Sequence, residues 1–367
     1  MKTQQNKFRV LVINPGSTST KLAVFDGDEQ IFSKTLRHST EELSPYPNIS
    51  SQYPFREKII LEALKEAHIG LDTIDAVVGR GGLLYPLEGG TYEVNDIMLE
   101  HLKAGIQGQH ASNLGGILAK AIASENKTKN IPAFIVDPVV VDEMKPIAKL
   151  SGHPLITRRS IFHALNQKAV ARKAAQKLGK KYNEVNLIVA HMGGGISVGA
   201  HRKGKVIDVN NALNGDGPFS PERSGGLPAA DLVKLCFSGK YQLGEIMNML
   251  RGKGGIVAYL GINDVRDVKK RIAEGDEKAK LVFEAMAYQV AKEIGLLATV
   301  LKGDVDGIVL SGGIAYAEDF IDLIKERVEW IAPIMVFPGE EEMEALAQGA
   351  LRVLRGEEQA KIYEPKE

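Results

Sequence analysis

The sequence predicts an α/β fold in which one layered plan is used twice. Helical and strand periodicities alternate along the chain, and an apolar strand, small-residue turn and strand pair at 10–36 recur at 187–210. In the same order, DAVVGRGGLLY at 75–85 recurs as DGIVLSGGIAY at 306–316. Two widely separated copies point to a duplicated domain, since a solenoid would repeat every 20–50 residues or so.

Taken in order, VLVIN reads as a short buried strand, and after a small-residue turn KLAVFD and IFSKTL complete a three-strand meander punctuated by Gly27-Asp28. A Pro/Ser/Tyr-rich stretch precedes a helix over Arg56 to Ala67, and IDAVVG reads as a buried strand. Helices over Val94–Ile106 and Ser112–Ser124 lead to a strand ending at Val136-Asp137. The second copy carries a mainly helical insertion. KPIAKLSGHPLITRR is rich in turn residues and precedes a helix expected over Ser160–Leu178, so the domain boundary is placed near 150. Residues 1–150 and 151–367 are then the two domains, with the last helix a candidate to pack back on the first, and a cleft between the copies is the expected site of chemistry.

The 367 residues suffice for two cores. Lysine plus arginine and aspartate plus glutamate both total 46, so no net field advertises nucleic acid or an anionic membrane as partner. The single cysteine, Cys236 in LVKLCF, reads as a buried structural thiol of a reducing compartment. The opening MKTQQNKFR is too polar for a signal peptide, and no run approaches the roughly 18 apolar residues of a membrane span. The expectation is a cytoplasmic protein with small-molecule partners.

Three turns carry the chemistry. In NPGSTSTK the alternation of Ser17, Ser19 and Lys21 lets two hydroxyls and an ammonium face one ligand if they share a pleat, although a solvated Ser/Thr hairpin would read the same way. The spacing is not that of a Walker loop. In the second copy Gly193-Gly194-Gly195, after His191, permit positive φ and close backbone approach. Ser311-Gly312-Gly313 follows a strand and opens a helix, where a nucleotide can pack against backbone.

These residues resemble the acetokinase family of the ASKHA superfamily, whose NxGSxSxK signature is similar to NPGSTSTK and whose motif order runs from about Phe8 to Ala350. The resemblance implies two duplicated ribonuclease-H-like (actin-like) domains around a central nucleotide cleft, and a kinase that makes an acyl phosphate from ATP and a carboxylate with Mg2+. The GRGGLLYP and SPERSGGLP segments resemble the butyrate-phosphorylating branch more than the acetate-phosphorylating one. It implies a metal-organising role for Asn14, phosphate contacts for Ser17, Ser19 and Lys21, and a catalytic set of Arg80, Asp137, His163 and Arg223. His110, Phe162 and Gly82 fall at the acid, while His191, Gly193–Gly195, Asp264, Val265, Arg266 and Ser311–Gly313 fall at ATP. Glu341 takes the place of a carboxylate near magnesium, with the register in Glu340-Glu341-Glu342 open by one residue. The family also implies a homo-oligomer, at least a dimer.

Two points stay open in the residues. Gly82 stands where acetate kinases carry valine, so it either widens an acid pocket or answers a backbone need. An actin-type or Hsp70-type nucleotide-gated binding protein would share the fold but lack the Arg80, Asp137 and Arg223 set. A polyphosphate phosphatase, or a kinase of acetate, propionate or a branched acid, is a nearer alternative.

Overall fold

The computed structural model describes residues 7–365, so the first six residues of the polar N-terminal segment lie outside the described residues. The chain divides into two compact units, Met1–Val141 with Glu341–Glu367, and Asp142–Glu340.

The first unit is built on a seven-stranded sheet. Strands β1 (Arg9–Pro15), β2 (Ser19–Asp26) and β3 (Glu29–Arg37) form the antiparallel meander. Strand β4 (Ala76–Arg80) runs parallel to β1, and β6 (Ala133–Val136) runs parallel to β4. The short β5 (Thr91–Glu93) and a C-terminal strand (Lys361–Ile362) complete the far edge. Val10 to Ile13 are buried without alternation, as in a strand covered on both faces. On one face Leu11, Ile13, Val77 and Ile135 share a core with Leu114 and Leu118 of the helix Asn113–Ser124. On the other, Val136 meets Gly349 of the helix Glu342–Leu354. Strand β4 and the helix Asn113–Ser124 touch backbone to backbone: a Cβ at Gly115 would lie 2.7 Å from the Arg80 nitrogen, and one at Gly79 would meet Gly115.

The second unit opens with a two-stranded hairpin, β7 (Leu150–His153) and β8 (Ile156–Thr157), followed by a helix at Ala164–Lys177. Its sheet holds β9 (Asn186–Met192), β10 (Ile196–Arg202), β11 (Lys205–Val209), β12 (Gly307–Gly312) and β13 (Ile334–Pro338), in the order β11-β10-β9-β12-β13. That order, with its pairing directions, reproduces β3-β2-β1-β4-β6 of the first unit. The insertion between β11 and β12 is helical and ends in a 24-residue helix, Glu277–Val300.

Several sequence expectations change. The units part at 141/142 rather than near 150, because the intervening segment is tied to the second unit: Lys145 N–H donates to the Ile207 carbonyl, and Glu143 pairs with Lys168 at 2.9 Å. Residues 341–367 belong with the first unit. The helix expected from Ser160 begins at Ala164, since the preceding backbone is engaged elsewhere, the Ile161 carbonyl accepting from Ala212 N–H. Cys236 is exposed, not buried, because the helix Ala229–Cys236 buries none of its residues. Among the described residues no helix is long and apolar enough to cross a membrane.

Candidate functional site

In the first unit the NPGSTSTK turn joins β1 to β2. Ser17 precedes β2, so it does not alternate with Ser19 and Lys21 on the strand. Beneath the turn lies Arg56, completely buried on the helix Tyr53–Glu66. Its guanidinium donates to the carbonyls of Gly16 (2.8 Å), Ser17 (3.0 Å) and Ser19 (3.1 Å), to Thr20 Oγ1 (3.1 Å) and to Gln52 Oε1 (2.8 Å). Burial lowers its pKa to about 10, which leaves it charged at neutral pH. With the carbonyls of the turn drawn inward to a cation, its outer side is left to hydroxyls and N–H groups, the chemistry that phosphate oxygens accept from.

Asn14, at the end of β1, donates through Nδ2 to Glu342 Oε2 at 2.7 Å. Arg80, at the end of β4, reaches the same carboxylate with Nη1 at 3.3 Å and Nη2 at 3.2 Å. Glu342 opens the C-terminal helix, and so within Glu340-Glu341-Glu342 it is Glu342 that meets Asn14 and Arg80. Glu341 stands at the helix cap, its carbonyl accepting from Ala345 N–H, and Glu340 belongs to the second unit.

Asp137, at the end of β6, is buried with φ of 37°, a left-handed backbone that a non-glycine residue holds at a cost. Its carboxylate accepts from Gly90 N–H at 2.7 Å. His110 bonds Ser112 Oγ through Nδ1 at 2.8 Å, and loss of hydration first, then the Arg80 charge, holds its pKa below the ordinary value. Gly82 has no room for a side chain. A Cβ there would lie 2.6 Å from Asn113 Cα and 2.7 Å from a Leu102 methyl, so the glycine answers a packing need.

In the second unit none of Gly193, Gly194 and Gly195 adopts positive φ; close approach accounts for Gly195, whereas a Cβ on Gly194 would sit at ordinary contact distance from Glu222. A Cβ on Gly195 would run into the Arg223 guanidinium, and one on Gly193 would lie 3.2 Å from Glu340 Oε1. The SPERSGG segment is bonded to this turn, with Ser220 Oγ donating to the Gly194 carbonyl at 2.7 Å. Arg223 donates to the Ala212 carbonyl, and burial lowers its pKa against the opposing pull of Glu222. His191 is fully buried at 3.1 Å from Glu340 Oε1 and stacks on His163, the ring centroids 4.2 Å apart. Ser311 pairs with His191 across β12 and β9, and Gly312, at φ of 92°, passes the Met192 backbone with no room for a Cβ. Gly313 has open space where a side chain would be.

Two expected contact residues are already engaged within the fold, one by burial and one at a helix cap. Phe162 is 2% exposed. Asp264 caps the helix Val265–Ala273, accepting from Arg266 N–H at 2.8 Å and pairing with its guanidinium, whose bond and the backbone's hold its pKa down to about 2.

No group of three or more histidine, cysteine, aspartate or glutamate side chains among the described residues is arranged for a metal. Mg2+ needs only one or two carboxylates when phosphate and water complete its shell, and the Asn14–Glu342 pair offers one.

A model of the acetokinase family matches residues 145–334. Over 356 and 357 residues the chain is 59% identical to butyrate kinase 1 and butyrate kinase 2 of Clostridium acetobutylicum, covering 97% of this chain and 99% of each of those proteins. The chain belongs to the acetokinase family. Solved structures agree on the acetokinase fold: acetate kinase of Porphyromonas gingivalis superposes with a TM-score of 0.77 at 20% identity, covering 95% of this chain and 100% of that one. A propionate kinase of Francisella tularensis gives 0.74 at 22% identity, over 93% and 98%.

Sequence reasoning passed over Arg56, Ser197 and Gln167, and it left Glu342 as one of three candidate carboxylates. Arg56 alone left a signal: it lies on one stripe with Ile60, Ala63 and Leu64, the buried face of its helix.

Proposed function

We propose that this chain phosphorylates butyrate, ATP + butyrate = ADP + butyryl phosphate, and catalyses both directions. The observation that carries the reading is the 59% identity to two butyrate kinases over 97% of the chain.

A carboxylic acid of pKa about 4–5 is already ionised at neutral pH and needs no general base. One carboxylate oxygen attacks the γ-phosphorus as its bond to the bridging oxygen of ADP breaks, and both charges stay on oxygen. The difficulty is bringing an anion to a triphosphate, so catalysis is positioning and charge neutralisation. Arg80 already holds a carboxylate, that of Glu342, with both terminal nitrogens, and in the reaction it would hold the acid in the same way. Arg223, fixed by Gly195 and the Ala212 carbonyl, would neutralise the equatorial phosphoryl oxygens. His163 would donate a hydrogen bond to the moving group, and Asp137 would position its neighbours. Phosphate contacts fall to Ser17, Ser19, Lys21 and the Gly193–Gly195 turn, and adenosine contacts to Asp264–Arg266 and Ser311–Gly313. Asn14 and Glu342 would hold Mg2+, which supplies charge neutralisation at the phosphates. We place the enzyme in the cytoplasm, where ATP is made, and as a homo-oligomer of at least two chains.

The test is to incubate the protein with Mg-ATP, hydroxylamine and carboxylates of increasing length, and to quantify acyl hydroxamate. The most product per unit time with butyrate is expected; ATP hydrolysis without hydroxamate would overturn the reading. Arg80→Ala and Arg223→Ala should each lower turnover by about 10² or more, as loss of a transition-state donor does; near-normal turnover in both would remove them from the machinery.

A further inference from the structure

His163 Nδ1 lies 2.9 Å from Ser197 Oγ, and behind Ser197 a chain of buried polar groups continues through Gln167 and His201 to Tyr182. Ser197, Gln167 and His201 are all fully buried, so each donor and acceptor must be satisfied inside the chain itself.

The direction of every bond can be settled from one fixed point. The Ser197 carbonyl can only accept, and the group 3.0 Å from it is the Gln167 amide, which must therefore present nitrogen there. The same nitrogen spends its second hydrogen on Ser197 Oγ at 2.8 Å. Gln167 Oε1 then faces His201 Nε2 at 2.9 Å and can only accept, so His201 carries its proton on Nε2 and its Nδ1 accepts a hydrogen bond from the Tyr182 hydroxyl, 2.8 Å away. Burial first, then the charges of Lys168 and Arg172, hold the His201 pKa well below its ordinary value, in keeping with one proton on that ring. Ser197 Oγ also receives the His163 backbone N–H at 3.5 Å. With both lone pairs engaged, its own O–H has one acceptor within reach, His163 Nδ1.

We propose that Ser197 and Gln167 are positioning residues that hold the His163 imidazole in its Nε2–H tautomer, with Nδ1 accepting from Ser197. The stack on His191 fixes the plane of the ring and the relay fixes which nitrogen bears hydrogen, so His163 offers a neutral N–H from Nε2. This rests on the reading of His163 as donor to the moving phosphoryl group; a donor set before substrate arrives needs no reorganisation during transfer.

The experiment is a long-range 1H–15N correlation spectrum of the whole protein labelled at its histidine nitrogens, of which there are eight residues. His163→Asn assigns the His163 signals by their loss. Near neutral pH the wild-type ring is expected as the Nε2–H tautomer, a measurement that needs no positioning variant to fold. In Ser197→Ala the proton should redistribute toward Nδ1, and kcat should fall about 10-fold or more while the KM for the acid stays within about 2-fold, the split expected of a group that acts in transfer rather than binding. A wild-type ring protonated on Nδ1 would overturn the proposal while leaving the carboxylate-kinase reading intact. An unmoved tautomer in Ser197→Ala would do the same. A redistributed tautomer with unchanged kcat would overturn it by removing His163 from the reaction.

Discussion

At Gly82 two explanations for one missing side chain predict opposite results. If the glycine widened an acid pocket, Gly82→Val would trade butyrate for acetate. With Asn113 Cα and the Leu102 methyl where the new atoms would go, the expected outcome is instead a loss of stability of about 1–3 kcal/mol or more, with the ratio of kcat/KM for the two acids unchanged. Urea unfolding and paired kinetics on the same preparation decide it. His38 gives a second residue-level expectation. It is 4% exposed, bonded to Thr20 Oγ1 at 2.8 Å, and held down to a pKa of about 4 by burial first and the Arg56 charge second. Above its unfolded value of about 6.5 the ring is neutral in both states and its contribution to stability is complete. As pH falls, the unfolded chain takes up a proton that the folded chain refuses, so stability declines between about pH 6.5 and 4 by ~3 kcal/mol in total. His38→Asn should shrink that decline when unfolding is compared at about pH 7 and about pH 4.5. His201, also lowered, acts in the same direction and keeps the variant's slope above zero.

The contact between β4 and the helix Asn113–Ser124 positions Arg80 at the element scale, and it exists because Gly79 and Gly115 have no side chains. Helix propensity alone favours alanine over glycine by about 1 kcal/mol. In Gly115→Ala the added carbon would fall 2.7 Å from the Arg80 nitrogen, so the sign should reverse: a destabilisation of about 1–3 kcal/mol or more by chemical denaturation, with lowered turnover as Arg80 shifts. Strands such as β1, β4, β9 and β12 are legible in the sequence because each is a buried apolar run followed by a small-residue turn. The purpose of Gly195 is not, since the guanidinium it makes room for comes from Arg223, which no local pattern connects to it. The choice among Glu340, Glu341 and Glu342 depends on the residue at which the helix begins, and boundaries of that kind are the least legible feature of any sequence. Arg56 was readable in principle, as a charge on an apolar stripe, and says that such a charge has partners waiting.

For the whole molecule, the twin sheet orders follow from the duplicated sequence, whereas the segment 341–367 follows a different logic. It is remote from 1–141 along the chain yet supplies the helix whose Gly349 meets Val136. The second unit is one continuous stretch, 142–340, and is expected to unfold cooperatively in urea as an isolated fragment. A 1–141 fragment should show no cooperative transition until the 341–367 peptide is added, because without it one side of its sheet lies bare. A stable 1–141 fragment on its own would contradict this assignment.

The carboxylate shared by Asn14 and Arg80 is Glu342, which follows the whole second unit in the chain. During translation the first strand with Asn14 and β4 with Arg80 emerge early and wait, unfinished, while the ribosome makes everything between. No nascent chain that stops short of Glu342 can assemble this trio.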